Sequence, residues 1–383
     1  MKNNRHIIYL VGLLFSLPVA LASYINSSFI ASFVGEKLVG IVYTASSVFS
    51  ILFLLLAPKI WSKVGGYKFL LIAASLSSLS FLGLALTTHT FTTALIFILG
   101  FSMNTLVVFS LDEILKIFSK DSAIGKIRGK YLAICSVSWV LAQLASGTVL
   151  KSFTFQHIYL ISFMVMLLFL IITFLKLRNI PDPVYANTNS LKYIKDFFQN
   201  KNLARAYIIS FLLQFFFSWM IIYTPIYLSS YLHFSWREIG LIFAVMLTPF
   251  VFMPFPIGKY GDKFGERNIL IWSFTLMTLS VLFMFFINNK DIIIWMLILF
   301  TTRLGASSAE TMSDSYFFKH IKKENEEWVG VYRSALPFAY ILGPLIASML
   351  FYILPSFNYI YLVLGILMLF GVYISSTISH REI

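Results

Sequence analysis

The chain has 383 residues, 59% of them hydrophobic and 17% aromatic, with only 12% charged. Apolar runs of roughly twenty residues recur along its whole length, the composition of a polytopic membrane protein and not of a soluble globular one. The excess of 29 Lys and Arg over 16 Asp and Glu falls between those runs, where lipid topology accounts for it, so no nucleic-acid partner is indicated; the single cysteine, Cys135, leaves neither an intrachain disulfide nor a zinc cluster.

Taken in chain order, the N-terminal "MKNNRHIIYLVGLLFSLPVALASY" imitates a secretory signal, with Ala20-Leu21-Ala22 as its cleavage site. The apolar run continues to about Phe33, however, and reads as a retained first span, near 7 to 33. Further runs able to cross about 30 Å of hydrocarbon at about 1.5 Å per residue lie near 38 to 57, 69 to 88, 92 to 115, 131 to 150 and 157 to 177. The hydrophilic stretch from Arg178 to Arg205 reads as a cytoplasmic linker, Pro-rich first and then a short amphipathic helix. Six more spans follow, near 205 to 230, 238 to 257, 269 to 287, 292 to 316, 328 to 353 and 358 to 378. The expected organisation is therefore an all-α membrane protein of about twelve helices: a six-helix bundle over 1–177, a linker over 178–204 and a second bundle over 205–383.

Orientation follows from the basic residues. With a cytoplasmic N-terminus, Lys37, Lys151, Arg237 and Lys290 fall outside and Arg303 falls within a span, which leaves 24 of the 29 on the inner side. That asymmetry predicts an even number of spans with both termini cytoplasmic.

The halves also align without gaps. "GIVYTASSVFSILFLLLAPKIWSKVGGYKFLL" lies over "GLIFAVMLTPFVFMPFPIGKYGDKFGERNILI", pairing Gly40 with Gly240, Lys59 with Lys259, Lys63 with Lys263 and Gly65 with Gly265 at an offset of 200. One half repeats the other in the same orientation, which is how parallel-repeat transporters are built.

Within this repeat, "GKYGDKFGERN" carries Gly258, Asp262, Lys263, Gly265 and Arg267 at the positions of the Gly-x-Leu-Ala-Asp-Arg/Lys-x-Gly-Arg-Arg/Lys loop of the major facilitator superfamily, departing from it at Tyr260, Gly261 and Glu266. The first-half copy, "PKIWSKVGGYK", keeps Lys63, Gly65 and Lys68 but has Pro58 and Ser62 where the glycine and aspartate belong. With twelve spans and a six-plus-six repeat, the chain resembles that family over its whole length. The resemblance implies two bundles rocking about a central cavity, lined mainly by helices one, four, seven and ten. It does not identify a substrate.

The charged residues of the tenth span can be read by depth. Arg303 lies roughly 16 Å in, near the midplane, with Glu310 roughly 27 Å in and Asp314 at the inner interface. Spacings of 4, 3 and 4 put Arg303, Ser307, Glu310 and Asp314 on one helical face, which cannot look at lipid. A midplane arginine requires a partner or a wet cavity, so Arg303 either binds an anionic or polyhydroxylated substrate or forms a permanent ion pair with Glu310 or a polar group on another helix. Glu310 is the candidate for proton coupling, since burial and a nearby arginine act on its protonation in opposite senses. Asp314, facing the basic loop Lys259 to Arg267, and its first-half counterparts Asp112 and Glu113, facing Lys63, Lys68 or Arg128, read as cytoplasmic gate acids.

Asn104, at the depth of Arg303 and 199 positions before it, is the near repeat equivalent. Tyr24, Asn26 and Ser27 on the first span, with Gln214, Trp219 and Tyr223 on the seventh, are the other polar or aromatic groups available to a cavity, and each serves equally well in helix packing. Pro18, Pro225, Pro249, Pro254, Pro256, Pro337 and Pro344 are expected to kink or flex their helices. No Gly-x4-Gly-Lys-Ser/Thr, no His-Glu-x2-His and no intramembrane histidine is present, so neither cofactor nor metal is expected. The expectation is a monomeric, non-enzymatic secondary transporter of a small solute in the cell membrane, coupled to protons. A membrane enzyme acting on lipid-linked substrates and a transporter-like receptor are the alternatives.

Overall fold

A backbone in hydrocarbon satisfies its own polar groups, so these apolar runs fold as helices, and the described residues contain no strand. The computed structural model describes residues 2–118, 124–178, 190–321 and 327–378. In chain order the helices are α1 (Lys2–Ser23), α2 (Asn26–Val34), α3 (Glu36–Val64), α4 (Gly66–Leu86), α5 (Thr90–Phe118), α6 (Ile124–Val149) and α7 (Phe155–Lys176). They continue with α8 (Ser190–Gln199), α9 (Lys201–Ile226), which runs into a π-helical turn at Tyr227–Tyr231, α10 (Trp236–Leu247), α11 (Pro249–Phe252), α12 (Pro254–Phe264) and α13 (Glu266–Phe286). The last four are α14 (Ile292–His320), α15 (Glu327–Arg333), α16 (Ala335–Leu350) and α17 (Tyr359–Ser376).

Among the described residues, eleven helical stretches are long and apolar enough to cross a membrane, and the bent pair Trp236–Phe252 and Pro254–Gly261, at 42°, makes a twelfth if it is one span. The bend has a chemical cause. Pro249 and Pro254 bring no N–H to the helix ladder, and the Thr248 hydroxyl donates to the Val245 carbonyl at 2.7 Å in place of the Pro249 amide. The first span is likewise broken, between α1 and α2. There Gln143 Nε2 donates to the Ala20 carbonyl at 2.9 Å and Ser162 Oγ to that of Pro18 at 3.2 Å, so side chains from α6 and α7 take carbonyls around the break. The short amphipathic helix expected in the linker is α8, while the Pro-rich stretch before it lies outside the described residues.

The chain divides into two compact units, Met1–Ala186 with Ser235–Ala244, and Asn187–Phe234 with Val245–Ile383. In the first, α6 and α10 cross at backbone contact: a Cβ built on Gly240 would lie 2.6 Å from the Gln143 carbonyl oxygen and 2.7 Å from Gly147 Cα. Only glycine fits that crossing.

The internal repeat recurs in the backbone. Gly65 (φ 81°, ψ 150°) separates α3 from α4 and Gly265 (φ 80°, ψ 152°) separates α12 from α13, with their N–H groups donating to the carbonyls of Trp61 and Gly261. Positive φ is what a glycine supplies at no steric cost, so the two copies of the loop motif share a turn as well as charges. Helices α4 and α13 are both 21 residues long at the offset of 200, while α5 and α14, both 29 residues, begin at 90 and 292, an offset of 202. Asn104 is thus the counterpart of Ala306, one helical turn from Arg303, and Phe101 stands where Arg303 does.

Candidate functional site

The second unit places Arg303 against α9. Its side chain is 1% exposed, and its guanidinium carbon lies 5.2 Å from the ring centroid of Phe216 and 5.4 Å from that of Phe217. The rings attract the cation electrostatically, yet their faces offer no lone pair for an in-plane N–H. Nε, Nη1 and Nη2 are all buried without a hydrogen-bond partner. The ion pair with Glu310 is not formed: seven residues separate the two, about 10 Å along the helix.

Why α14 presents this face follows from its opposite side. Gly305, two residues on, lies against α13, where a Cβ would come within 2.8 Å of the Ser273 carbonyl oxygen, so Arg303, Ser307 and Glu310 turn the other way. Ser307 is buried and its hydroxyl donates to the Pro249 carbonyl at 3.4 Å, tying α14 to α11 beside the bend. Glu310 is exposed, within electrostatic reach of Arg303, Asp314 and Arg333, and makes neither a hydrogen bond nor an ion pair among the described residues. Gln214, one turn before Phe217 on α9, is half-buried and also has no hydrogen bond among the described residues. The Phe217 ring continues to Phe250 at 5.9 Å.

The other two seventh-span candidates are committed elsewhere. Trp219 Nε1 donates to the Gly343 carbonyl at 2.7 Å and Tyr223 Oη to that of Pro344 at 3.1 Å, pinning α9 to α16.

At the inner end of α14, Asp314 is held by Arg333 of α15, with contacts of 3.3 and 2.9 Å in a bidentate pair, and it accepts from Tyr332 Oη at 3.0 Å. Tyr332 is fixed by Ser313 at 2.8 Å and stacks on Phe317 at 4.0 Å. The loop Lys259 to Arg267 is not the partner of Asp314; it contributes Glu266, which pairs with Lys319 and accepts from Ser315 at 3.1 Å. Within that loop Gly258 has open space around it, Lys263 lies over the Phe264 ring at 5.2 Å, Arg267 is half-buried, and the Asp262 side chain lies outside the described residues.

In the first unit, Asn104 Oδ1 accepts from Ser77 Oγ of α4 at 2.6 Å. Asn26 Oδ1 accepts from Tyr159 at 2.8 Å, and Tyr24 packs against Phe243 at 4.8 Å and Trp139 at 6.3 Å. Ser27 is buried with its hydroxyl lacking a partner. Asp112 and Glu113 are half-buried, Asp112 within electrostatic reach of Tyr131 on α6, and Lys63 is exposed beside Gly65. At the offsets of 202 and 201, Asp112 and Tyr131 correspond to Asp314 and Tyr332, an inner-end acid and tyrosine in each half. Reading by depth missed Phe216, Phe217, Tyr332 and Arg333. The repeat offset could have found the tyrosines, whereas nothing marks two phenylalanines among 40 as partners of one arginine.

A helical membrane chain with a parallel internal repeat has the architecture of a secondary transporter. The sequence profile of the Major Facilitator Superfamily matches residues 8–238 and 207–379, and the chain belongs to that family of membrane transporters. It is similar in fold to the crystal structure of the nucleoside transporter NupG, at 11% identity and a TM-score of 0.78 over 97% of this chain and 98% of that one. A mutant form of NupG gives 12% and 0.77 with the same coverage. A bacterial homologue of the human lysosomal transporter Spinster, in an inward-facing and unoccupied conformation, gives 14% and 0.71 over 97% of this chain and 94% of that one. At such identities the likeness is one of fold. No individually curated protein sequence matches the chain.

Proposed function

We propose that the protein moves an anionic small solute across the cell membrane by alternating access, with Arg303 as the solute's anchor and Glu310 carrying the coupled proton. The observation that supports this most directly is the buried guanidinium with every nitrogen unpartnered, for an isolated buried charge is costly and calls for a counter-ion. Glu310, on the same face and uncommitted, is placed to change protonation as that counter-ion comes and goes. The basic residues orient both termini to the cytoplasm, and the chain functions as a monomer.

The test is reconstitution in proteoliposomes with a pH-sensitive dye inside. Addition of a transported anion acidifies the lumen in the wild type. Glu310→Gln abolishes acidification and uphill accumulation but retains counterflow, and Arg303→Gln abolishes both. Acidification retained in Glu310→Gln would remove Glu310 from coupling. Failure of any solute to move, with turnover of a lipid-linked substrate instead, would favour a membrane enzyme.

A further inference from the structure

The same site, taken as the solute site just proposed, also restricts the solute's chemistry. We propose that the ligand is an organic monocarboxylate with an apolar, planar body, rather than a phosphate ester or an uncharged polyol. Three observations in the second unit carry this.

The first is charge. Arg303 offers a single unneutralised positive charge. The other ionisable groups on its face are the acidic Glu310 and Asp314, and Arg333 of α15, which is within electrostatic reach of Glu310, is occupied by Asp314 in a bidentate pair. A singly charged anion is neutralised by this arrangement. A phosphate monoester, carrying nearly two charges, would leave one uncompensated and facing Glu310.

The second is geometry. A guanidinium presents its donors as a planar fork that matches a carboxylate with two parallel hydrogen bonds, and here no donor is used by the protein. A nucleoside or sugar, which is uncharged, would leave the cation without a counter-charge.

The third is the wall. Phe216 and Phe217 flank the guanidinium and Phe250 extends the aromatic surface, so a ligand held by its carboxylate has aromatic faces beside the rest of it. Such a wall receives a flat apolar body with its ring edge or face and gives hydroxyl-rich bodies nothing to bond. Gln214, one turn from Phe217 and free of hydrogen bonds among the described residues, offers an amide for a polar substituent.

The experiment is a thermal-shift and equilibrium-binding series on the purified full chain in detergent, with benzoate, acetate, inorganic phosphate, phenyl phosphate and uridine as probes. Benzoate is expected to raise the melting temperature in a saturable way, acetate to do so with at least about tenfold weaker affinity, and the others not at all. Arg303→Gln is expected to weaken benzoate by about a hundredfold, and Arg303→Lys, which keeps the charge but not the fork, by about tenfold. Phe217→Leu should weaken benzoate several-fold and leave acetate unchanged. Stabilisation by phosphate or uridine but not benzoate, lost in Arg303→Gln, would overturn the ligand class and leave the anchor standing. An equal response to every probe in wild type and Arg303→Gln would overturn both. If Arg303→Gln does not fold, the Arg303→Lys and Phe217→Leu comparisons decide, and unchanged benzoate affinity in both rejects the proposal.

Discussion

Helices α5 and α14 are the same element built twice, 29 residues each at an offset of 202, and their side chains show where the repeat has been kept and where it has been broken. The inner-end acid is kept, as Asp112 and Asp314, each with a tyrosine 19 or 18 residues on. The two charges that precede it on the same face are not: Phe101 stands for Arg303 and Val108 for Glu310. On α5 the midspan polar group, Asn104, has its carbonyl oxygen occupied by Ser77, whereas on α14 the arginine has all its nitrogens bare. Features retained in both copies belong to the common framework. The unpaired charge present in one copy has no counterpart in the other, and the solute site proposed for the second half rests on that difference.

The largest effect that could break this comparison comes from Arg303→Gln. Besides the loss of ligand response described above, the ligand-free variant is expected to melt later than wild type, because it removes an uncompensated buried charge at the expense of two ring contacts; the gain is about 1–3 kcal/mol. Calorimetry or a dye-based melt of the ligand-free protein measures it. An earlier melt would mean that the guanidinium is held in a permanent pair after all, and the asymmetry between α5 and α14 would lose its functional meaning.

Next in size is a change that should be indifferent to that asymmetry. Gly240→Ala inserts a methyl 2.6 Å from the Gln143 carbonyl oxygen, and neither that backbone nor Gly147 can yield as a flexible side chain would. A destabilisation of about 2–3 kcal/mol is expected, with the affinity of the folded protein for benzoate, the probe of the proposed site, equal to that of the wild type. A variant with wild-type stability would show that the α6–α10 crossing is not held at backbone contact.

Asp314→Asn sharpens the comparison at the inner end. It removes the charge from a bidentate pair that is partly exposed, and keeps an acceptor for Tyr332, so about 1–2 kcal/mol of stability should go. The loss should be rescued in part by the further change Arg333→Met, which removes the cation left behind. Without rescue, Asp314 acts through Tyr332 and not through Arg333.

These residues also show what the sequence could reveal. Helical spacing and the position of one span start were enough to put Arg303 on a protein-facing surface, because both depend only on local geometry and on where α14 begins, at Ile292. The loop glycines at 65 and 265 were legible for the same reason, a local turn read twice. The partner of Asp314 was not, since α15 is a short helix behind residues 322–326 and its approach to α14 depends on tertiary packing. The pairing of Asn104 with Arg303 missed by one turn because two extra residues between α13 and α14 change the offset from 200 to 202, an insertion visible only once the helix starts are fixed.

The smallest expected effect tests whether Asn104 belongs to the framework or to a binding surface. Its carboxamide oxygen accepts from Ser77 at 2.6 Å across the α4–α5 contact, and hydrogen bonds between membrane helices are worth about 0.6 kcal/mol on average. Ser77→Ala and Asn104→Leu should therefore each cost about that much or somewhat more, and the double variant should cost less than their sum, since the second change removes a group the first has already left without its partner. If Asn104 is a fold pin, the anion affinity of Ser77→Ala equals that of the wild type. A change of fivefold or more would mean that releasing the amide alters ligand binding, that α5 contributes directly to the solute site, and that the division of labour between the two copies of this helix is less complete than Phe101 and Val108 imply.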